Sequence, residues 1–247
     1  MKRMLFLHIG AQRTATTSIQ SFMRANFQAL LRRGYLYPFG VPRHFSLFNA
    51  LFSCRRTVDG VAADLAERCA RWQQPVKAIV LSDEGICLRN DLSVLARFRD
   101  HFDVRIVLSL RRQDTWLESW YLQNIKWQWN PGLSHCTFDQ FLARRDEFHW
   151  ISYDRFVGHL QSLFGAENLR LQVFEKEQMP DGPVAAFCRQ IGLADTGGLR
   201  VPEHVNPSFS PAISEFMRRL PLDRQAAGDD PGGLARVVLR HRPHRRA

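Results

Sequence analysis

No window of the 247-residue sequence approaches 18 uninterrupted apolar residues, so no membrane-spanning helix is expected. Nor does the chain contain a C-x-x-C pair. Its five cysteines, at positions 54, 69, 87, 136 and 188, are odd in number and widely scattered, which points to neither a disulfide framework nor a zinc ribbon. Such usage fits a reducing compartment, and a cytoplasmic location is expected. His135-Cys136 is an adjacent pair without further spaced ligands, so no metal is expected either. Internal repeats are missing. The apolar start Leu5-Phe6-Leu7 runs straight into His8, too short for the apolar segment of a signal peptide, and is read as strand. Acidic residues vanish at the far end: residues 236–246 hold five arginines and no Asp or Glu, half of the formal charge of +10. Residues 223–247 are therefore expected to be a basic, solvated tail, with an arm for nucleic acid as the alternative. With 45% hydrophobic residues, the rest is enough for one large α/β domain, placed at residues 1–222.

What is present is a strand that empties into hydroxyls. Leu5-Phe6-Leu7-His8-Ile9-Gly10 reads as a buried strand, and Ala11-Gln12-Arg13-Thr14-Ala15-Thr16-Thr17-Ser18 leads from it into a helical pattern. Backbone N–H groups at a fresh helix N-terminus lack partners and lie at the positive end of the macrodipole, so this is the pattern of an anion-binding loop. A plain βα turn is the alternative. The common nucleotide loop G-x-x-x-x-G-K-[ST] fits poorly: aligned from Gly10, its second glycine falls on Ala15 and its lysine on Thr16, leaving Thr17 alone in place. A loop that cradles one phosphate beside Arg13 is the better reading.

Strand and helix then alternate. Ile19, Phe22, Met23, Phe27, Leu30 and Leu31 recur at helical steps, predicting one helix over 16–33 that Gly34 ends. A short strand near Tyr35 follows, and the region around Pro42 and His44 shows no clear pattern. A helix over 58–73 leads to a second buried strand, 76–82, which stops at Asp83-Glu84. Acids at the carboxyl end of a parallel strand lie where α/β sheets bind ligands, although both also suit a turn cap. A helix over 91–102 and a strand over 104–110 come next, the strand ending in Arg111. Asp114 is expected to cap a helix that carries Ser119, eight positions beyond Arg111. An extended arginine and a serine one to two turns up the helix can converge on one anion; an ion pair for the arginine and no role for the serine are the alternatives. Further helices are expected over 138–144, 153–164, 183–191 and 211–220, with a strand over 169–174. The predicted fold is α/β, a doubly wound and mainly parallel sheet.

With these residues placed, the chain resembles the sulfotransferases that use 3′-phosphoadenosine-5′-phosphosulfate (PAPS), particularly their bacterial branch. That family's K-[ST]-G-[ST]-[ST] loop is matched by Arg13-Thr14-Ala15-Thr16-Thr17, and its strand-end arginine with a serine eight positions on is matched by Arg111 and Ser119. Asn206-Pro207-Ser208-Phe209-Ser210-Pro211 is similar to a segment that often closes such domains. The likeness spans roughly residues 3–220. It implies a P-loop-like phosphosulfate loop after the first strand, in which Arg13, Thr14, Ala15, Thr16, Thr17 and Ser18 hold the 5′ side, while Arg111 and Ser119 hold the 3′-phosphate. Arg13 would also be catalytic, and Glu84 the general base; His44 is the histidine alternative. PAPS would be the co-substrate and a hydroxyl or amine on a small molecule, lipid or glycan the acceptor, without metal, membrane span or nucleic-acid partner. Two positions depart from the pattern: Arg13 replaces a lysine and Ala15 a glycine. A small-molecule P-loop kinase and a non-catalytic nucleotide or nucleic-acid binder are the competing functions.

Overall fold

Runs of buried apolar residues build the sheet. In a computed structural model of the chain, which describes residues 2–201 and 209–220, strands β1 (Met4–Gly10), β2 (Tyr35–Leu36), β3 (Ala78–Ser82), β4 (Asp103–Leu110) and β5 (Leu169–Val173) lie parallel in the order β2-β3-β1-β4-β5. β1 is central. Leu5, Leu7 and Ile9 are fully buried on one face and Phe6 and His8 on the other, as a strand covered on both sides requires. Its register pairs His8 with Ser82 on β3 and with Val107 on β4.

Helices α1 (Thr16–Ala25) and α2 (Phe27–Arg32) connect β1 to β2; α3 (Phe45–Phe52) and α4 (Val58–Ala70) connect β2 to β3; α5 (Ser93–Ala96) lies before β4. After β4 come α6 (Gln113–Trp127), α7 (Pro131–Ser134), α8 (Phe138–Leu142) and α9 (Tyr153–Phe164), and after β5 come α10 (Gly182–Gln190) and α11 (Pro211–Arg219). Ile19, Phe22 and Met23 of α1, Leu30 of α2 and Val184 and Phe187 of α10 pack on Phe6, Val80 and Val107. Toward the other face, α9 packs on β4, β5 and α5. The sheet is thus doubly wound, as the alternating pattern predicts.

The described residues divide into two compact units, 2–112 with 148–201 and 113–147 with 209–220. The first holds the sheet. In the second, Ile125, Phe209 and Met217 share a small apolar cluster, and the Gln128 side chain donates to the Met217 carbonyl at 2.8 Å. Asn206, Pro207, Ser208 and the basic tail lie outside the described residues, and so does any test of the expected boundary at residue 222.

Three local expectations need correction. The helix over 16–33 is broken at Asn26, whose amide donates to the carbonyls of Phe22 and Arg200 at 2.9 and 2.8 Å and whose oxygen accepts from the Arg200 N–H at 2.8 Å. A short amide side chain competes with the helix ladder for backbone groups. Residues 91–102 form only a four-residue helix and a 3₁₀ turn, because Asp91 bonds both the N–H and hydroxyl of Ser93 at 2.8 Å and starts the helix late. Asp114 lies inside the first turn of α6 rather than ahead of it. Sequence reading also missed α3 altogether.

Candidate functional site

The strand order puts β3 and β4 on opposite sides of β1, so the segments leaving their carboxyl ends meet where α/β sheets gather ligands. Gly10 leaves β1 at φ 107, and the Ala11 N–H donates to the Ser109 carbonyl at 3.2 Å, tying the loop to β4. A Cβ built on Gly10 would stand 3.2 Å from the Gln12 nitrogen and 3.3 Å from both Cα and Cβ of Glu84. The loop and the end of β3 are in contact there. Gly10→Ala is therefore expected to destabilise the chain by about 2–4 kcal/mol, from overpacking against backbone and from a side chain at positive φ. Thermal unfolding reads this as a Tm lowered by roughly 5–15 °C; an unchanged Tm would disprove the close approach.

The loop turns by left-handed steps. Arg13 has φ 65, and Ala15 has φ 60 and ψ 24 immediately before α1. Ala15 thus stands in the conformation that favours glycine, the residue the family pattern has at this place. Thr14 is fully buried and closes the loop internally, its hydroxyl donating to the Ala11 carbonyl at 2.6 Å. Thr16 is buried and Thr17 exposed. The Ser18 and Ile19 N–H groups both donate to the Ala15 carbonyl, at 3.0 and 3.1 Å. No side chain caps α1; the Ser18 and Ile19 N–H groups are taken by the Ala15 carbonyl, which leaves the Thr16 and Thr17 N–H groups as the first-turn donors an anion would use.

Arg111 leaves β4 and reaches back to the loop: its Nη1 donates to the Arg13 carbonyl at 3.1 Å. The Arg13 guanidinium has a lowered pKa, first because it is buried and second because the charge of Arg111 is near. Two cations thus share one corner of the site, a field that attracts an anion. The backbone of Arg111 is pinned by Tyr153, whose hydroxyl accepts from the Arg111 N–H at 3.2 Å and donates to the Arg111 carbonyl. Ser119 lies on α6, in the second unit.

The end of β3 is acidic. Glu84 accepts from Gln20 Nε2 at 2.7 Å through Oε2 and from Arg43 Nη1 at 2.6 Å through Oε1. Each carboxylate oxygen keeps a further lone pair. Asp83, 2% exposed, accepts from the Gly85 N–H at 3.0 Å, and Arg43 stands 3.8 Å away. Burial pushes the Asp83 carboxyl up to about 6; the Gly85 N–H and Arg43 oppose this, Glu84 adds to it, and Arg89 opposes it weakly. Gln20 also donates to the Ser82 hydroxyl at 3.2 Å, which shares a 2.8 Å bond with His8 Nδ1.

His44 is fully engaged. Its Nδ1 accepts from the Ser82 N–H at 3.0 Å, so Nε2 carries the proton and donates to the Pro38 carbonyl at 3.1 Å. It is 1% exposed, and burial lowers its pKa to about 4 against an upward pull from those backbone bonds. A histidine with both nitrogens bonded to backbone ties the turn after β2 to β3. Sequence reading missed Gln20, Arg43 and Tyr153. Gln20 carried a signal, a polar residue four positions beyond Thr16 on the buried side of a helix; Arg43 stands in a segment without periodic pattern, and Tyr153 opens a predicted helix without marking it as a site residue.

Among the described residues, no group of three or more His, Cys, Asp or Glu side chains could hold a metal ion, and no helix is long and apolar enough to cross a membrane. No family model matches the chain. The chain is similar to an uncharacterized protein of Archaeoglobus fulgidus, 24% identical over 165 residues, which is 65% of this chain and 43% of that relative. The chain thus matches less than half of the relative's length. It is also similar to the crystal structure of a sulfotransferase from Alicyclobacillus acidocaldarius, at 17% identity and a TM-score of 0.46, over 98% of each chain.

Proposed function

We propose that this protein transfers a sulfonate group from PAPS to a hydroxyl or amine acceptor. The observation that carries the reading is the convergence of Arg13 and Arg111 on one loop at the carboxyl ends of β1 and β4. In-line transfer needs an attacking oxygen or nitrogen, stabilisation of charge on the sulfonate and the departing phosphate, and a base. The acceptor atom forms a bond to sulfur while the bond from sulfur to the 5′-phosphate oxygen breaks, and 3′,5′-bisphosphoadenosine (PAP) leaves with the electron pair. Arg13, with the loop donors of Thr14 to Ser18, neutralises the leaving side. Arg111 holds the 3′-phosphate; Ser119 joins it on the strength of the sequence spacing alone. Glu84 takes the acceptor proton, held in place by Gln20 and Arg43. Arginine in place of lysine at position 13 supplies a planar, permanent cation that binds oxyanions through two donors and gives up no proton.

Thermal unfolding tests the reading. PAP at about 100 times its dissociation constant should stabilise the chain by roughly 2.7 kcal/mol, or about 5–10 °C for a protein of this size. The shift should shrink in Arg111→Ala. ATP with magnesium and a nucleic-acid duplex should give no comparable shift. Stabilisation by ATP without any by PAP would overturn the proposal in favour of a kinase.

A further inference from the structure

A cavity of about 220 Å³ is lined by α3 and the turn after β3, and the transfer chemistry above leaves it unused. Phe45, Phe48, Phe52, Asp83, Ile86 and Leu88 are in its walls. The three phenylalanines fall at three- and four-residue steps, so α3 turns one aromatic edge toward it. Phe48 and Ile86 are each 1% exposed while Phe45 is 44% exposed. One wall is therefore fixed in the core and the rim reaches solvent.

Three features select an occupant. The volume is below the ~300–1,000 Å³ of pockets that take drug-sized ligands, which limits the ligand to about one ring. Aromatic walls favour a flat apolar body. The third feature is charge. Asp83 offers a carboxylate whose Oδ1 accepts from the Gly85 N–H and whose Oδ2 accepts no hydrogen bond from a described residue. The rings already carry cations, with the Arg43 guanidinium 4.7 Å from the Phe45 centroid and that of Arg89, which also lines the cavity, 5.0 Å from the Phe52 centroid. An ammonium group would enter between two guanidiniums, and an anion would meet Asp83. A neutral alcohol meets neither obstacle and can donate its O–H to the carboxylate.

We infer that this cavity is the acceptor site, and that it takes a small, neutral, one-ring alcohol whose hydroxyl is anchored by Asp83. Calling the occupant an acceptor rests on the sulfonate-transfer reading; its chemical class does not. Asp83 is next to Glu84, and Arg43 approaches both, at 3.8 and 2.6 Å. Asp83 thus anchors the hydroxyl beside Glu84, toward which the O–H must turn before transfer, since one O–H cannot donate to both carboxylates.

The test is a ligand-observed NMR titration of the full chain with phenol, toluene and benzylamine, without nucleotide. Phenol should bind about tenfold more tightly than toluene, the scale of one charge-assisted hydrogen bond, and more tightly than benzylamine. Phe45→Ala and Phe52→Ala, both at half-exposed or exposed positions, should each weaken phenol severalfold. Asp83→Asn, which keeps an acceptor for the Gly85 N–H, should bring phenol and toluene to equal affinity. Thermal unfolding of every variant verifies that it folds. Failure of the wild type to bind phenol, indifference to both Phe substitutions, a preference for benzylamine, or a phenol preference that survives Asp83→Asn would each overturn the inference. Stabilisation by PAP without phenol binding would remove the cavity and leave sulfonate transfer standing. Phenol binding without stabilisation by PAP would do the reverse.

Discussion

Glu84→Gln is expected to lower turnover by about 10²–10⁴-fold, the usual contribution of a positioned general base, while PAP still stabilises the protein as in the wild type. The amide keeps nearly the same shape. Its carbonyl can still accept from Gln20, and Arg43, whose side chain is 38% exposed, can hydrate when its carboxylate partner is lost. What disappears is the ability to take a proton. Single-turnover transfer from PAPS, together with a PAP thermal shift on the same preparation, separates the two effects. Full turnover in Glu84→Gln would remove Glu84 from the role of base; loss of the PAP shift would mean that the carboxylate shapes the loop instead, consistent with the contact between Gly10 and Glu84.

Acid should begin to destabilise this protein above the usual carboxylate range. His8 and His44 are buried, at 0 and 1% exposure, and burial lowers each pKa to about 4 from 6.5; Glu84 pulls that of His8 upward, and the Pro38 and Ser82 backbone pulls that of His44 upward. Their folded values lie below their unfolded ones. Between pH 6.5 and 4 the unfolded chain therefore binds more protons, and stability is lost as pH falls, by about 1.4 kcal/mol per pH unit for each histidine. Asp83 acts in the opposite sense: its folded pKa of about 6 is raised, so the folded state holds the extra proton between roughly pH 4 and 6. One histidine is offset there, and the net loss from pH 6.5 to 4 is about 4 kcal/mol, a large share of the ~5–15 kcal/mol that holds most domains together. Urea unfolding at pH 7, 6, 5 and 4 measures the slope. Replacing His44 by Gln should reduce it by about one proton, and replacing Asp83 by Asn should steepen it by the same amount. Equal slopes in all three proteins would show that these groups do not govern the acid limit.

Strands β1, β3 and β4 were legible as short apolar runs that stop at a turn signal, β2 as a short run before Pro38 and β5 by the alternation of Leu169, Leu171 and Val173 with Arg170 and Gln172, and the loop after β1 because hydroxyl residues followed a buried strand. Where reading failed, the cause was a contact that no local pattern encodes. Asn26 breaks a well-patterned helix because it bonds to Arg200, 174 residues away. Helix α3 went unseen: six apolar residues in eight mask its period. In the site, Glu84 could be picked out from its place at a strand end, but its holders could not, since Gln20 and Arg43 come from other elements. His44 looked available as a base in sequence, and its position between two backbone partners became visible only with Pro38 and Ser82 placed in space.

On the proposed reading, in which Arg111 takes a phosphate, Tyr153 lowers the entropy lost on binding. Its hydroxyl takes both the N–H and the carbonyl of Arg111, so the main chain at the end of β4 is immobilised before any ligand arrives. An arginine on a loose strand end would lose backbone as well as side-chain freedom on meeting an anion, at about 1–2 kcal/mol for each residue ordered. Here only the side-chain torsions of Arg111 remain to be frozen. The ordering of its backbone is completed during folding, and a hydroxyl 42 residues along the chain from the arginine makes its corner of the site rigid in advance.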